Sequence, residues 1–284
     1  MERDEAIQQI IKLRKKLNEH NYKYYVLAKP DISDFEYDQL MNELISIENK
    51  FPELKDENSP SQRVGSDINV EFRQVRHKYA MLSLGNTYSK EELLDFDARV
   101  RKGIGENFHY VCELKYDGVA ISLVYQKGKL IRAVTRGDGV QGDDVTANVR
   151  TIQSIPLELI GNGYPEEFEI RGEIFMTHES FKRINESRAK EGFPLFANPR
   201  NATAGTLKMK NSSQVARRPL DCYFYYLPGE NLPTESHYDN LRIASEWGFK
   251  VPIDSIRRVE NTEDILNYID FWNIEREKLP FDID

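Results

Sequence analysis

Between Asp4 and Phe51 the apolar residues recur at helical spacing, and from Tyr110 onward the period falls to two. That switch restricts the chain to helices first and sheet afterwards. Ile7, Ile10, Ile11, Leu17 and Tyr24 make one helical stripe, stopped by Pro30. Tyr37, Leu40, Met41, Leu44 and Phe51 make a second, stopped by Pro52. Ser33 with Glu36 three residues later predicts a capping box at the start of the second helix. The first ~55 residues therefore read as a helical hairpin, and the polar "NSPSQRVGS" (58–66) reads as a connector. The expected division is 1–66 and 67–284.

Ser89 and Glu92 repeat the capping signature and predict a helix to about Lys102. The stretch 110–135 then reads strand, turn, strand, with Lys127-Gly128 as the hairpin turn. Further strands are predicted over 167–176 and 220–229, and helices over 178–190, 236–247 and 262–278. Strand runs interrupted by separate helices imply an α+β fold around antiparallel sheets.

Composition narrows the function classes. The 284 residues are 39% hydrophobic and 30% charged, enough apolar material for a core. No apolar run approaches the roughly 18 residues of a spanning helix. The charged N-terminus is not a secretion signal. Two cysteines, Cys112 and Cys222, supply neither a disulfide framework nor a metal-ligand spacing, and a reducing cytoplasm is expected. A net charge of −8 argues against a dedicated nucleic-acid-binding module but not against a local basic patch.

Five segments can carry chemistry. In "CELKYDGVAISL" (112–123), Glu113, Lys115 and Asp117 alternate along one predicted strand and share a face. That face is either solvated or the floor of a site around Lys115, with Gly118 admitting a ligand close to the backbone. A lysine amine attacks only when neutral, and its ordinary pKa is about 10.4. "TRGDGVQGDDVTANVRTI" (135–152), opened by Arg136, fits a phosphate or cation loop or a plain turn, and matches neither a P-loop nor a dinucleotide fingerprint. Arg171 and Glu173 share a strand face, which equally fits a surface ion pair. Arg200, Lys208 and Lys210, with Arg217 and Arg218, concentrate positive charge for a phosphate backbone or simply for solvent. Tyr24, Tyr25 and Tyr37 beside Asp34 and Asp38 suit a flat cationic ligand, or helix packing.

Taken together these segments resemble a known family. "ELKYDG" is similar to the K-x-D-G signature of covalent nucleotidyltransferases, whose lysine takes AMP or GMP as a phosphoramidate. "YYVLAKPDISDFEYDQLMNEL", "MLSLGNTY", "TRGDGVQGDDVTANVRTI", "RGEIFM" and "FANPRNATAGTLK" resemble, in order, blocks of bacterial NAD-dependent DNA ligases. The resemblance implies that Lys115 is the nucleophile on NAD, which acts as an AMP donor. It implies that Glu113 reads the adenine edge, Asp117 tunes the lysine, and Arg136 and Glu173 contact the nucleotide. Ser83 and Leu84 fall in the NAD-binding block, and Tyr225 matches an adenine-stacking ring. Arg200 and Lys208 match phosphate or DNA contacts, the latter replacing an arginine found in some relatives. Tyr24, Tyr25, Asp34, Phe35, Glu36, Tyr37 and Asp38 match the pocket for the nicotinamide mononucleotide half, Tyr25 standing where relatives often have histidine.

The resemblance also implies Mg²⁺, nicked double-stranded DNA as the partner of the whole enzyme, no membrane association and a monomeric fragment. Zinc and a further phosphate-contacting lysine are expected only beyond Asp284. No metal ligand set is expected within the chain. An ATP- or GTP-using nucleotidyltransferase and a non-catalytic nucleotide-binding module are the competing readings, separable by the donor used and by the presence of a covalent adduct.

Overall fold

The computed structural model describes residues 2–27, 29–63 and 71–284, without the side chain of Asp34. The expected 66/67 boundary lies outside the described residues. Helices α1 (Arg3–Asn21) and α2 (Asp34–Lys50) form the predicted hairpin, and one π-helical turn over Tyr22–Val26 prolongs the first. The capping box is present: the Ser33 hydroxyl accepts from the Glu36 N–H, and Glu36 Oε2 accepts from the Ser33 N–H at 2.9 Å. The buried stripe of α1 is Ala6, Ile10, Leu13 and Leu17, packed on Leu44 and Ile47. Ile11, expected inside, faces solvent, because the 3.6-residue period through Ile10 turns its neighbour outward.

A buried carboxylate pins this unit. Glu48, 1% exposed, accepts from Arg14 Nη2 at 2.6 Å and from the Ser59 hydroxyl at 2.7 Å. The unit docks on the rest of the chain through Arg63, whose buried guanidinium donates to the Ile152 and Ile155 carbonyls at 2.9 and 3.0 Å. Arg150 and Glu57 add an ion pair at 2.9 Å.

Beyond it run β1 (Gln74–Arg76), α3 (Lys90–Ile104), β2 (Tyr110–Cys112), β3 (Val119–Gln126), β4 (Lys129–Thr135), β5 (Gln141–Asp143), α4 (Thr146–Val149) and β6 (Glu167–Phe175). Then follow α5 (His178–Lys190), α6 (Pro199–Leu207), α7 (Ser212–Ala216), β7 (Asp221–Tyr226), α8 (His237–Glu246), β8 (Arg257–Val259) and α9 (Thr262–Glu275). The fold is α+β. An antiparallel sheet of order β4-β3-β6-β7 is its centre, and β1 with β5 and β2 with β8 make two small ribbons. The β3–β4 turn is Lys127-Gly128, both at positive φ, as a two-residue hairpin of this twist requires. At α3, Ser89 caps the Glu92 N–H, but Glu92 reaches back to Tyr88 rather than to Ser89.

Ile121, Leu123 and Tyr125 of β3, Ile170 and Ile174 of β6 and Phe224 of β7 bury one sheet face against Val145, Val149, Leu241, Trp247 and Phe249. The other face therefore carries Glu169, Arg171 and Glu173 of β6 and Tyr223 and Tyr225 of β7.

The single strand expected over 112–123 is two strands. After β2 the chain leaves the ribbon with β8, and only Tyr116 makes a bridge, to Ile283. The Asp117 N–H donates to the Asp282 carbonyl at 3.1 Å and the Asp284 N–H to the Lys115 carbonyl at 2.8 Å. Leu114 and Tyr116 face a small core with Phe175, Phe281 and Ile283. The alternation is real, but its backbone partner comes from the far end of the sequence.

Candidate nucleotide site

Lys115 lies on this extended link between β2 and β3, with its side chain half exposed and its Nζ paired with the Asp284 carboxylate. That contact holds the Asp284 carboxyl below the ordinary carboxylate range. Glu113, two residues earlier, has Oε1 2.6 Å from Nε2 of His237 at the start of α8. Asp117, two residues later, accepts from Arg200 Nη1 at 3.0 Å. Asn198 caps α6 by accepting from the Asn201 N–H at 2.8 Å, and Pro199 occupies its first turn, which presents Arg200 toward Asp117.

Glu173 sits on β6 beneath these groups, opposite Ala120 and Tyr223. Burial pushes its carboxyl up to about 7, opposed by the positive charges of Arg200, Lys115 and Arg136 and reinforced by Asp117. Tyr225 is raised above the ordinary tyrosine value by burial and by the same Glu173. The structure thus gathers Lys115, Asp117, Arg136, Glu173, Arg200 and Tyr225 into one cluster, with Glu113 at its margin.

Other expected residues stand differently. Gly118 is buried, and a Cβ there would meet the Ile174 carbonyl oxygen at 2.2 Å. Its missing side chain admits the neighbouring β6 backbone, where the sequence suggested room for a ligand. Arg171 does not pair with Glu173. It is buried, takes Glu169 at 2.9 Å, and donates to the Tyr79 and Ala80 carbonyls at 2.6 and 3.1 Å. That clamp anchors the segment leading to Ser83 and Leu84, which lie on an exposed loop with Leu84 77% exposed. Lys208 pairs with Asp143 at 2.6 Å, so the basic stretch is partly neutralised within the chain.

The tyrosine cluster forms a separate group on the helical unit. Tyr24 and Tyr25 meet edge to face at 4.7 Å, and the Tyr37 hydroxyl donates to Asn21 at 2.8 Å. Phe35 and Asp38 are exposed, and Glu36 is occupied by its cap. No hydrogen bond or ion pair among the described residues joins Tyr24, Tyr37 or Asp38 to Lys115 or Glu173. Asp34 opens α2, and its side chain lies outside the described set.

Among the described residues no group of three or more His, Cys, Asp or Glu side chains is placed to hold a metal ion. Both cysteines are free, and among the described residues no helix is long and apolar enough to cross a membrane. His237 and Asp284 are site residues that sequence reasoning missed. Each touches a motif side chain more than a hundred positions away, and no local pattern signals that.

A partly buried carboxyl, acted on by the charges of Arg200, Lys115 and Arg136, thus lies beside the tyrosine-bearing strand β7. The model of the NAD-dependent DNA ligase adenylation domain matches residues 69–284, and that of the DNA ligase-like N-terminal NAD⁺-binding domain matches 3–65. The chain belongs to the NAD-dependent DNA ligase family. It is 57% identical to a DNA ligase of Phocaeicola vulgatus over 96% of its length and 41% of that protein's. It is 58% identical to a DNA ligase of Parabacteroides distasonis (94% and 40%) and 57% identical to one of Bacteroides fragilis (96% and 41%). The chain thus spans about two fifths of the length of the curated relatives it matches.

Proposed function

We propose that the chain is the part of a DNA ligase that takes AMP from NAD, with Lys115 as the nucleophile. The observation that carries this is local: Arg200 pairs with Asp117, two residues from Lys115, at 3.0 Å, and Glu173 lies opposite Ala120, whose carbonyl accepts from the Arg136 N–H at 3.1 Å. The lysine Nζ bonds to the α-phosphorus as the bond to nicotinamide mononucleotide breaks, and the leaving phosphate takes the electron pair. Two protons leave the ammonium for solvent, one before attack and one after it. Nζ must also leave Asp284 for the phosphorus.

Arg136 and Arg200 lie where they offset phosphate charge. Glu173, near neutrality, can accept from or donate to a ribose hydroxyl, and Tyr225 offers a stacking face. Glu113 faces the base. The tyrosines of the helical unit, with Asp34 and Asp38, take the cationic nicotinamide half. Mg²⁺ draws most of its ligands from water and phosphate with one or two carboxylates, and Asp284, paired with the Lys115 amine, and Asp117, two residues along, are the carboxylates that would hold it. When bound it would offset phosphate charge.

In the whole protein the AMP would pass to the 5′-phosphate of a nick, and the 3′-hydroxyl would displace it. Such an enzyme would serve DNA replication and repair in the cytoplasm, with this segment monomeric and Arg200 and Lys208 near the DNA phosphates. Intact-mass measurement of the ligase with NAD and Mg²⁺ tests the reading. One AMP is expected on the wild type and none on Lys115→Ala; an adduct that survives the substitution overturns the assignment.

A further inference from the structure

The residue that holds Glu113 is His237. It is the first residue of α8, behind Ser236, whose hydroxyl accepts from the Asp239 N–H. Its ring lies 6.0 Å from that of Tyr226, next to Tyr225 on β7. Nε2 meets Glu113 Oε1 at 2.6 Å, and this is the one side-chain hydrogen bond of Glu113 among the described residues. The Glu113 side chain is 22% exposed, and among the described residues no side-chain hydrogen bond reaches Oε2.

A carboxylate accepts hydrogen bonds and donates none. It attracts the 6-amino group of adenine and repels the 6-oxo group of hypoxanthine or guanine. It discriminates well only if its direction is fixed, because a freely turning glutamate can swing away from the wrong base and must be immobilised by the right one. We propose that His237 is a positioning residue for base selectivity: by holding Oε1 it aims Oε2 of Glu113 at the 6-position of the purine. This rests on the reading of the Lys115 cluster as an adenylate site.

Isothermal titration of the 284-residue chain with NAD and with nicotinamide hypoxanthine dinucleotide, its 6-oxo analogue, tests the inference. The wild type is expected to prefer NAD by about tenfold or more. His237→Leu should bring the two affinities to within about threefold of each other. His237→Gln keeps an N–H at the Nε2 position and should restore most of the preference. His237→Asn, too short to reach Oε1, should not, and it serves as the second reducing variant if the leucine variant fails to fold by circular dichroism. A folded leucine or asparagine variant that keeps the wild-type ratio overturns the proposal, as does a glutamine variant no better than leucine. Failure of the wild type to bind either dinucleotide overturns the NAD reading itself, and this inference with it.

Discussion

Replacing Glu173 by glutamine should flatten part of the pH dependence of folding. The Glu173 carboxyl is held at about 7 against an ordinary 4.5, chiefly by burial. Between those values the folded chain binds more protons here than the unfolded chain does. Stability therefore falls as pH rises through that window, and the loss is complete above the folded value. At about 1.4 kcal/mol per pH unit the full loss is about 3 kcal/mol. Glutamine cannot ionise and has nearly the same shape. Urea unfolding of both proteins at pH 5 and at pH 8 measures the effect, and the difference between them cancels every other titration common to the two. The variant should gain about 2–3 kcal/mol on the wild type between pH 5 and pH 8. Parallel stability curves, or a variant that loses ground as pH rises, would refute the claim that burial outweighs Arg200, Lys115 and Arg136 at this carboxyl.

Three further outcomes follow from contacts. Gly118→Ala should cost about 3 kcal/mol in denaturant unfolding, because its Cβ would strike the Ile174 carbonyl rather than open space; an unchanged midpoint would return that glycine to a ligand role. Arg14→Leu leaves Glu48 buried with hydroxyl partners only, and should lower amide protection in α1 and α2 by about 3 kcal/mol in hydrogen exchange; unchanged protection would show that Ser59 and Ser61 suffice. Arg171→Leu removes the clamp on the Tyr79 and Ala80 carbonyls and strands Glu169, so exchange over 79–84 should speed by tenfold or more, a loosening of about 1.4 kcal/mol. Equal exchange rates there would mean that the Met81 N–H bond to the Gly139 carbonyl anchors the segment alone.

The parts legible in the sequence were those set by near neighbours. The Ser33–Glu36 box and the Lys127-Gly128 turn span two to four residues, and the structure contains both. The helical hairpin was legible from period alone, although the buried stripe of α1 is one position round from the one read, since Ile10 and Ile11 look equally apolar. The break at Lys115 was not legible, because the strand that pairs with Lys115–Asp117 is Asp282–Asp284. β5 was hidden in a glycine-rich loop for the same reason: its partner β1 lies some 65 positions earlier in the chain, and short strands acquire identity only from pairing. At the site, Arg171 and Glu173 share a face as read, yet the arginine chose Glu169 on its other side. Alternation fixes the face and leaves the direction open.

The central claim is that Lys115 carries AMP taken from NAD. Its most direct test is peptide mapping of the ligase after incubation with Mg²⁺ and NAD labelled in the adenylate half, with a parallel incubation in labelled ATP. The label is predicted on the peptide containing Lys115, and only from NAD. Label on another residue, or transfer from ATP and not from NAD, would contradict it.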